Sequence, residues 1–543
     1  MIAEYYPFSV LPGLTRLFLD ACSGEDACSG EDAGSGKARQ FYVPAGASKY
    51  REYREEHQAT PAHREELVAL LKAQNPGATD ALELLRSGAG AMVTGQQVGL
   101  LGGPLLTPLK AASAIAHARH ASLQGRPHVA IFWLASEDHD LAEVNHVTLP
   151  GKRELHNLVY SARPSVELPV GGIVFDESIR PLIEQAAELI GLSEAQEALR
   201  AAYQPGRSFA QAFAQFYSTV FARQGLLILD PNCRAAHRLG ASVLAAAIED
   251  ADELHALLIE RGRSLKAAGY HAQVTVGERS SLLFLMDEKS GARQALKRTA
   301  PSAAEPAGLW QAGRNSHSTD DLMGILAAEP ERISPSALLR PVFQDVILPT
   351  SSYIGGPAEV AYFAQSAVLY ERILGRVTPI LPRFSATLIE PSIGRLWRQH
   401  ELQLETLFSA TEDALAQRLA ARALPMEGKQ RLAEAGNSLD HELTALLGWM
   451  QAVDTGLARS GETAASKMRY QMNRLRRLAA NFELQRETAI GRHAQSISQA
   501  LFPHGHPQER LIGAAYFLGK YGFALADELI DHAIAPGHTL LWL

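Results

Sequence analysis

The sequence predicts an α/β protein with a Rossmann-like parallel sheet and insertions, followed by a C-terminal α-helical coiled-coil arm. Three observations carry that expectation. Apolar runs of buried-strand type end in polar or glycine-rich turns at Gly88–Pro104, Val129–Asp140 and Gly225–Asn232. Helix-length segments separate such runs, and crossovers of that length make right-handed parallel units. After Pro391 the apolar residues recur instead at steps of three, four and seven, which marks a second, helical region.

The 543 residues exceed one hydrophobic core, and with 46% hydrophobic and 20% charged residues the chain can bury several. The expected division is residues 1–390 as the core, with N-terminal helices and insertions at about 150–210 and 290–340, then 391–500 as the arm and 501–543 packing at its base. A net charge of −8 and a pI near 6.2 give no basic footprint, which argues against a nucleic-acid partner. No run reaches the ~20 apolar residues of a membrane span. The start MIAEYYPFS lacks the basic and apolar regions of a signal peptide. With only Cys22, Cys28 and Cys233, the expected location is cytoplasmic. The tandem CSGEDA repeat around Cys22 and Cys28 reads as a flexible acidic loop.

In chain order, Ser48–Gln74 has helical composition, with Pro61 as a helix start. A strand from Gly88 to Val93 leads into the loop Thr94–Pro104 and a helix from Leu105 to His120. Its glycines would let the backbone approach a ligand, yet the spacing is neither GxGxxG nor GxxxxGK[ST]. The next strand, Val129–Ala135, delivers Glu137, Asp138, His139 and Asp140 to its carboxyl end, where open α/β sheets bind ligands. An alternating segment at His156–Tyr160 and a helix at Ile179–Ile190 follow. A strand at Gly225–Asn232 then leads into one long helix, Arg234–Ala268. Tyr270–Val276 and Ser281–Asp287 read as a hairpin around Gly277, and Ala300–Gln311 as a loop. Arg340–Gly356 reads as a strand feeding the helix Pro357–Leu374, and Thr378–Arg383 as the last strand. Stripes through Leu432–Leu457 and Met468–Phe482 make Gly394–Gln499 a helical hairpin or coiled coil.

For the acidic cluster, a helix cap near Leu141 needs one carboxylate and not four. A histidine between carboxylates suits proton transfer or anion binding, so His139 with Asp138 and Asp140 is the candidate catalytic group. Glu137, Asn145 and His146 are its candidate substrate contacts. His139, Asp140 and His146 lack a standard ligand spacing, so no metal site is assigned. Thr94, Gly95, Gln96, Gln97, Gly102 and Pro104 form a second candidate binding turn, and amides there can orient a polar substrate. Arg340, Gln344, Asp345, Tyr353, Gly355, Gly356 and Glu359 form a third, with His271 on the stretch between.

Taken together, VTGQQVGLLGGPLLTPLKA, FWLASEDHDLAEVNHV, GYHAQV, LRPVFQDVILPTSSYIGGPAEVAYFAQ, PILPRFSATLIEP and LFPHGHPQERLIGAAYFLGKYG resemble the bacillithiol-biosynthesis cysteine-adding enzymes, the BshC family. The resemblance covers essentially the whole chain, with the CSGEDA repeat as a local insertion. It implies a core similar to the nucleotidyl-transferase fold of class I aminoacyl-tRNA synthetases and an arm that pairs two subunits. It also implies ligation of L-cysteine to the amine of glucosaminyl malate, the final step to bacillithiol. ATP or ADP, with Mg accompanying the nucleotide, is the implied cofactor. In place of the synthetases' paired histidines stand Thr94–Gln97, and Tyr353–Pro357 carries no lysine loop. Phosphate or carboxylate contact is therefore expected from helix amino ends, Lys110, Arg340 or Arg383. The alternatives are transfer of a nucleotidyl group to another small acid, or a coiled-coil scaffold with a vestigial nucleotide-binding core.

Overall fold

The computed structural model describes residues 2–22, 38–42, 60–161, 164–299 and 309–543. The second CSGEDA copy with Cys28, residues 48–59 of the expected N-terminal helix and most of the 300–311 loop lie outside them. The chain divides into two compact units, Ala3–Thr387 with Glu509–Leu540, and Leu388–Gln508 with Leu541–Leu543. The closing segment thus belongs largely with the core.

The first unit is built on five parallel strands: β1 (Gly90–Gln96), β2 (His128–Leu134), β3 (Leu227–Leu229), β4 (Thr350–Gly355) and β5 (Ile380–Pro382). Their order is β5-β4-β1-β2-β3. The chain winds outward from β1 to β3, returns, and winds the other way from β4 to β5. The chain leaving β1 and the chain leaving β4 therefore diverge, and a crevice opens at their carboxyl ends. Both β1 and β2 are buried along almost their whole length, which is why they read as unbroken apolar runs. Between them α1 (Leu106–Leu123) is buried on nearly every side. Its small Ala111, Ala112, Ala114 and Ala118 let the sheet pack on it, and helix Ala524–His532 of the closing segment covers it.

Four expectations need correction. The stretch from Arg340 is a helix first, α3 (Arg340–Ile347), and only then β4. Pro341 in the first turn fits a helix start, and Val342, Phe343 and Ile347 are buried on it. The long helix from Arg234 breaks at Asp250 into α2 (Arg234–Glu249) and Ala251–Ala267. The hairpin around Gly277 does not form, because the Gln365 amide takes both backbone groups of Val274, at 2.8 and 2.9 Å. Ser280–Met286 pairs instead with Arg293–Arg298 and Ile333–Pro335 in an antiparallel sheet of five strands. Trp310 and Gln311, expected in a loop, belong to that sheet.

α4 (Pro357–Leu374) follows β4 with Glu359 in its first turn. In the second unit α5 (Met426–Val453) and α6 (Thr455–Arg486) form an antiparallel hairpin. It turns at Asp454, whose carboxylate accepts the Leu457 N–H at 2.8 Å, and Arg469 reaches back to Asp440 at 2.7 Å. Gly436, Leu443, Ala458 and Ala465 fill the seam between the two helices.

Candidate functional site

A cavity of about 640 Å³ opens at the carboxyl ends of β1, β2 and β4. At its base lies a buried ion pair between Lys110 of α1 and Glu359 of α4. The Lys110 ammonium also donates to the Gly95 carbonyl at 2.6 Å and to Gln96 Oε1 at 3.0 Å. Glu359 accepts the Tyr353 hydroxyl at 2.6 Å and the Gly356 N–H at 2.7 Å. Burial pulls the Lys110 ammonium below its usual value against the pull of Glu359. Burial pushes the Glu359 carboxyl the other way, but Lys110, the Gly356 N–H and Tyr353 outweigh it and hold it below the usual range. Above this pair the Arg340 guanidinium lies 5.5 Å from the Tyr353 ring and donates to the Tyr362 hydroxyl at 2.8 Å.

The residues after β2 form a second wall. Glu137 Oε1 lies 2.7 Å from Nε2 of the fully buried His237 of α2. Asp138 accepts Gln97 Nε2 at 2.7 Å and the His139 N–H at 2.7 Å. Gln97 also reaches Glu143, at 2.7 Å. His139 Nδ1 faces Arg293 at 3.4 Å, and because a guanidinium only donates, Nδ1 accepts and the proton sits on Nε2. Arg293 stacks on the Phe284 ring at 3.7 Å and donates to Ser334 and the Pro335 carbonyl, at 3.0 and 2.9 Å.

Of the residues singled out by sequence, the cavity gathers Gly95, Gln96, Gln97, Lys110, Glu137, Asp138, His139, Arg340, Tyr353, Gly356, Glu359 and Arg383. The others stand apart from it. Asp140 is exposed and caps the short helix Leu141–Val144, accepting the Glu143 N–H at 3.3 Å. Thr94 is spent across the sheet on the Ile354 carbonyl at 2.9 Å, and Asn145 on the Tyr160 carbonyl at 3.1 Å. His146 and His271 are exposed outside the cavity. Gln344 and Asp345 lie behind Arg340, where Gln344 receives its guanidinium at 3.0 Å and Asp345 the Tyr370 hydroxyl at 2.5 Å. Gly355 pairs with β5. Gly102, at φ +84°, and Pro104 turn away from the cavity, since a Cβ on Gly102 would meet the Phe216 ring at 2.7 Å.

His237, Glu143, Arg293, Tyr362 and Arg510 line or support the cavity and were not singled out by sequence. Glu143, Tyr362 and Arg510 lay in stretches that carried the family resemblance, and nothing local marks His237 or Arg293.

The helix amino ends and side chains expected to meet phosphate or carboxylate are largely occupied within the chain. In the glycine loop the N–H groups of Gly99, Gly102, Gly103 and Leu105 already donate to Gln97, Tyr203, Leu100 and Ile512, at 3.0, 2.8, 2.9 and 2.8 Å. At the amino end of α4 the Glu359 carboxylate occupies the anion seat. Arg383 holds the buried Glu509 through two contacts, at 3.0 and 2.5 Å. Burial would raise the Glu509 carboxyl, but Arg383 holds it below the usual range. Among the described residues no group of His, Cys, Asp and Glu is arranged to hold a metal ion.

A parallel, doubly wound sheet with ionisable side chains in its switch-point crevice defines a Rossmann-like core. Residues 33–384 match the family model described as Bacillithiol biosynthesis BshC, N-terminal Rossmann-like domain, and residues 386–541 match Bacillithiol biosynthesis BshC, C-terminal coiled-coil domain. The chain belongs to the BshC family. A relative from Koribacter versatilis, named "Putative cysteine ligase BshC", is 41% identical with 100% of both chains covered. Relatives of the same name from Solibacter usitatus and Salinibacter ruber are 34% and 30% identical, covering 96% and 98% of this chain and 96% of each of theirs. A solved Thermus thermophilus arginyl-tRNA synthetase, 11% identical over 86% of this chain and 85% of its own, has a TM-score of 0.18 and supports no argument about fold.

Proposed function

We propose that this chain is a ligase that joins L-cysteine to the amine of glucosaminyl malate, the last step to bacillithiol. The observation that carries this reading is the mixture of groups in one cavity. Glu137 and Asp138 are acceptors suited to an ammonium, whereas Arg293, Arg510 and His139 Nε2–H are donors suited to carboxylates. An amino sugar bearing a dicarboxylic acid needs both. His139 then serves malate's carboxylates rather than abstracting the amine proton, because its free lone pair faces Arg293.

Amide formation expels an oxygen of the cysteine carboxyl, so that carboxyl needs activation. ATP-type activation of that carboxyl is part of the proposal. The reaction is assigned to the cytoplasm, the compartment that the low cysteine count of the chain suits. The protein works as a homodimer paired through the arm.

The test is mass spectrometry of the purified protein with glucosaminyl malate and cysteine, with ATP, with ADP and free of nucleotide. The expected product has the mass of both substrates less one water, and Asp138→Asn lowers its rate roughly 10- to 100-fold, the range of one charge-assisted hydrogen bond. No product in any arm would sink the ligase reading. Equal rates with and without nucleotide would remove the ATP activation alone.

A further inference from the structure

We propose that His237 is a positioning residue that holds Glu137 as an ionised acceptor aimed into the cavity, so that the site selects a substrate with a protonated primary amine. This rests on the amino-sugar reading above and adds the residue that makes the cavity selective for the amine.

The chain at Ser136–Asp138 is pinned by two hydrogen bonds from outside the sheet, Gly171 N–H to the Ser136 carbonyl at 2.8 Å and Val170 N–H to the Asp138 carbonyl at 2.7 Å. Glu137 therefore leaves β2 from a fixed point. His237 Nδ1 lies 2.9 Å from the Ile333 carbonyl, a group that only accepts, so Nδ1 carries a proton. The Phe343 ring packs on the imidazole with centroids 5.4 Å apart, which resists a ring flip.

With Nδ1 protonated, a neutral ring would aim the Nε2 lone pair at the lone pairs of Glu137 Oε1 across 2.7 Å. A proton must therefore lie between those two atoms. Burial alone would lower the His237 pKa, but Glu137 raises it above the usual histidine value, which assigns the proton to the ring. Oε1 is thereby satisfied. Oε2 takes no hydrogen bond from the described residues, although the Glu137 side chain is only 11% exposed and lines the cavity. A carboxylate oxygen that faces the cavity with no protein donor can accept from a ligand, and an ammonium is the donor that also matches its charge. The other ionisable groups facing this pair are Arg293, Asp138, Asp230 and Cys233. Of these, Asp230 is occupied by Ser136 at 2.5 Å, and burial raises its carboxyl.

The experiment is calorimetric binding of glucosaminyl malate and of its N-acetylated form to the full-length protein. The wild type is expected to prefer the free amine by roughly 10- to 100-fold, the range of one charge-assisted hydrogen bond. His237→Leu removes that preference and leaves the affinity for the N-acetyl form unchanged, while His237→Gln, which keeps a donor for Oε1, restores part of it. Glu137→Gln loses the preference with His237 intact, which keeps the inference testable if His237→Leu does not fold. A preference that survives in folded His237→Leu overturns the role of His237, and one that survives in Glu137→Gln overturns Glu137 as the acceptor and the role of His237 with it. So does a wild type that binds both forms equally. A wild type that binds neither form overturns the amino-sugar reading itself, and this inference with it.

Discussion

Lys110 shows what a sequence reading of a single residue gains and loses. Read as a phosphate contact, it is instead the buried partner of Glu359. Removing one member of a buried pair strands the other charge, so Lys110→Met should destabilise the fold by about 3–5 kcal/mol in urea denaturation. Lys110→Met with Glu359→Gln should cost less than the sum of the two, because neither charge is then left alone. His538 makes a pH prediction. Burial depresses its pKa from 6.5 to about 4, with Ser385 on Nδ1 and Thr387 on Nε2. The unfolded imidazole takes a proton near 6.5 and the folded one resists until about 4, so stability is complete above pH 6.5 and falls as pH drops to about 4. That loss is up to ~3 kcal/mol. Equilibrium unfolding across this window should show the slope, and His538→Gln should flatten it. Glu137, Asp138 and His139 were legible because a strand end delivers them together. Their partners His237 and Arg293 were not, lying 100 and 154 positions away from the residues they touch.

At the scale of elements, strands buried on both faces were easy to recognise and their partners were not. The apolar runs of β1, β2 and β3 announce burial, whereas α3 carries a similar run, Val346-Ile347-Leu348, at the end of a helix. Short apolar runs do not separate the two conformations by period alone. The close approach of α2 to α3 is set by Gly240, where a Cβ would collide with the Phe343 ring. Gly240→Ala should therefore cost about 1–3 kcal/mol despite its better helix propensity. It should also reduce ligation, since Phe343 backs His237. Thermal denaturation and mass spectrometry of the product would show both losses together, and a gain in stability would refute the close packing of Gly240 on Phe343.

At the scale of the molecule, the arm leaves apolar side chains exposed in numbers that a solitary hairpin does not explain. Trp449, Val453, Leu475 and Phe482 are 59%, 58%, 56% and 62% exposed, and Leu446 and Met468 are 47% and 49%. A second copy of the arm would cover a stripe of this kind. Light scattering should give a dimer for the full-length protein, and Leu475→Glu with Phe482→Glu should give a monomer of undiminished helicity. A wild-type monomer at micromolar concentration would remove the dimer.

What the sequence determined by itself was periodic or local. It contained the parallel-sheet units, the helical arm, the strand end bearing Glu137–His139 and the family to which those stretches belong. Tertiary structure decided which charges remain available to a ligand. Lys110 is neutralised by Glu359, Arg383 by Glu509 and one oxygen of Glu137 by His237. Each pairing joins residues more than 90 positions apart in the chain. An unpaired charge is costly once buried, so folding consumes the partners that bring each other out of water. No sequence periodicity records which partners those will be.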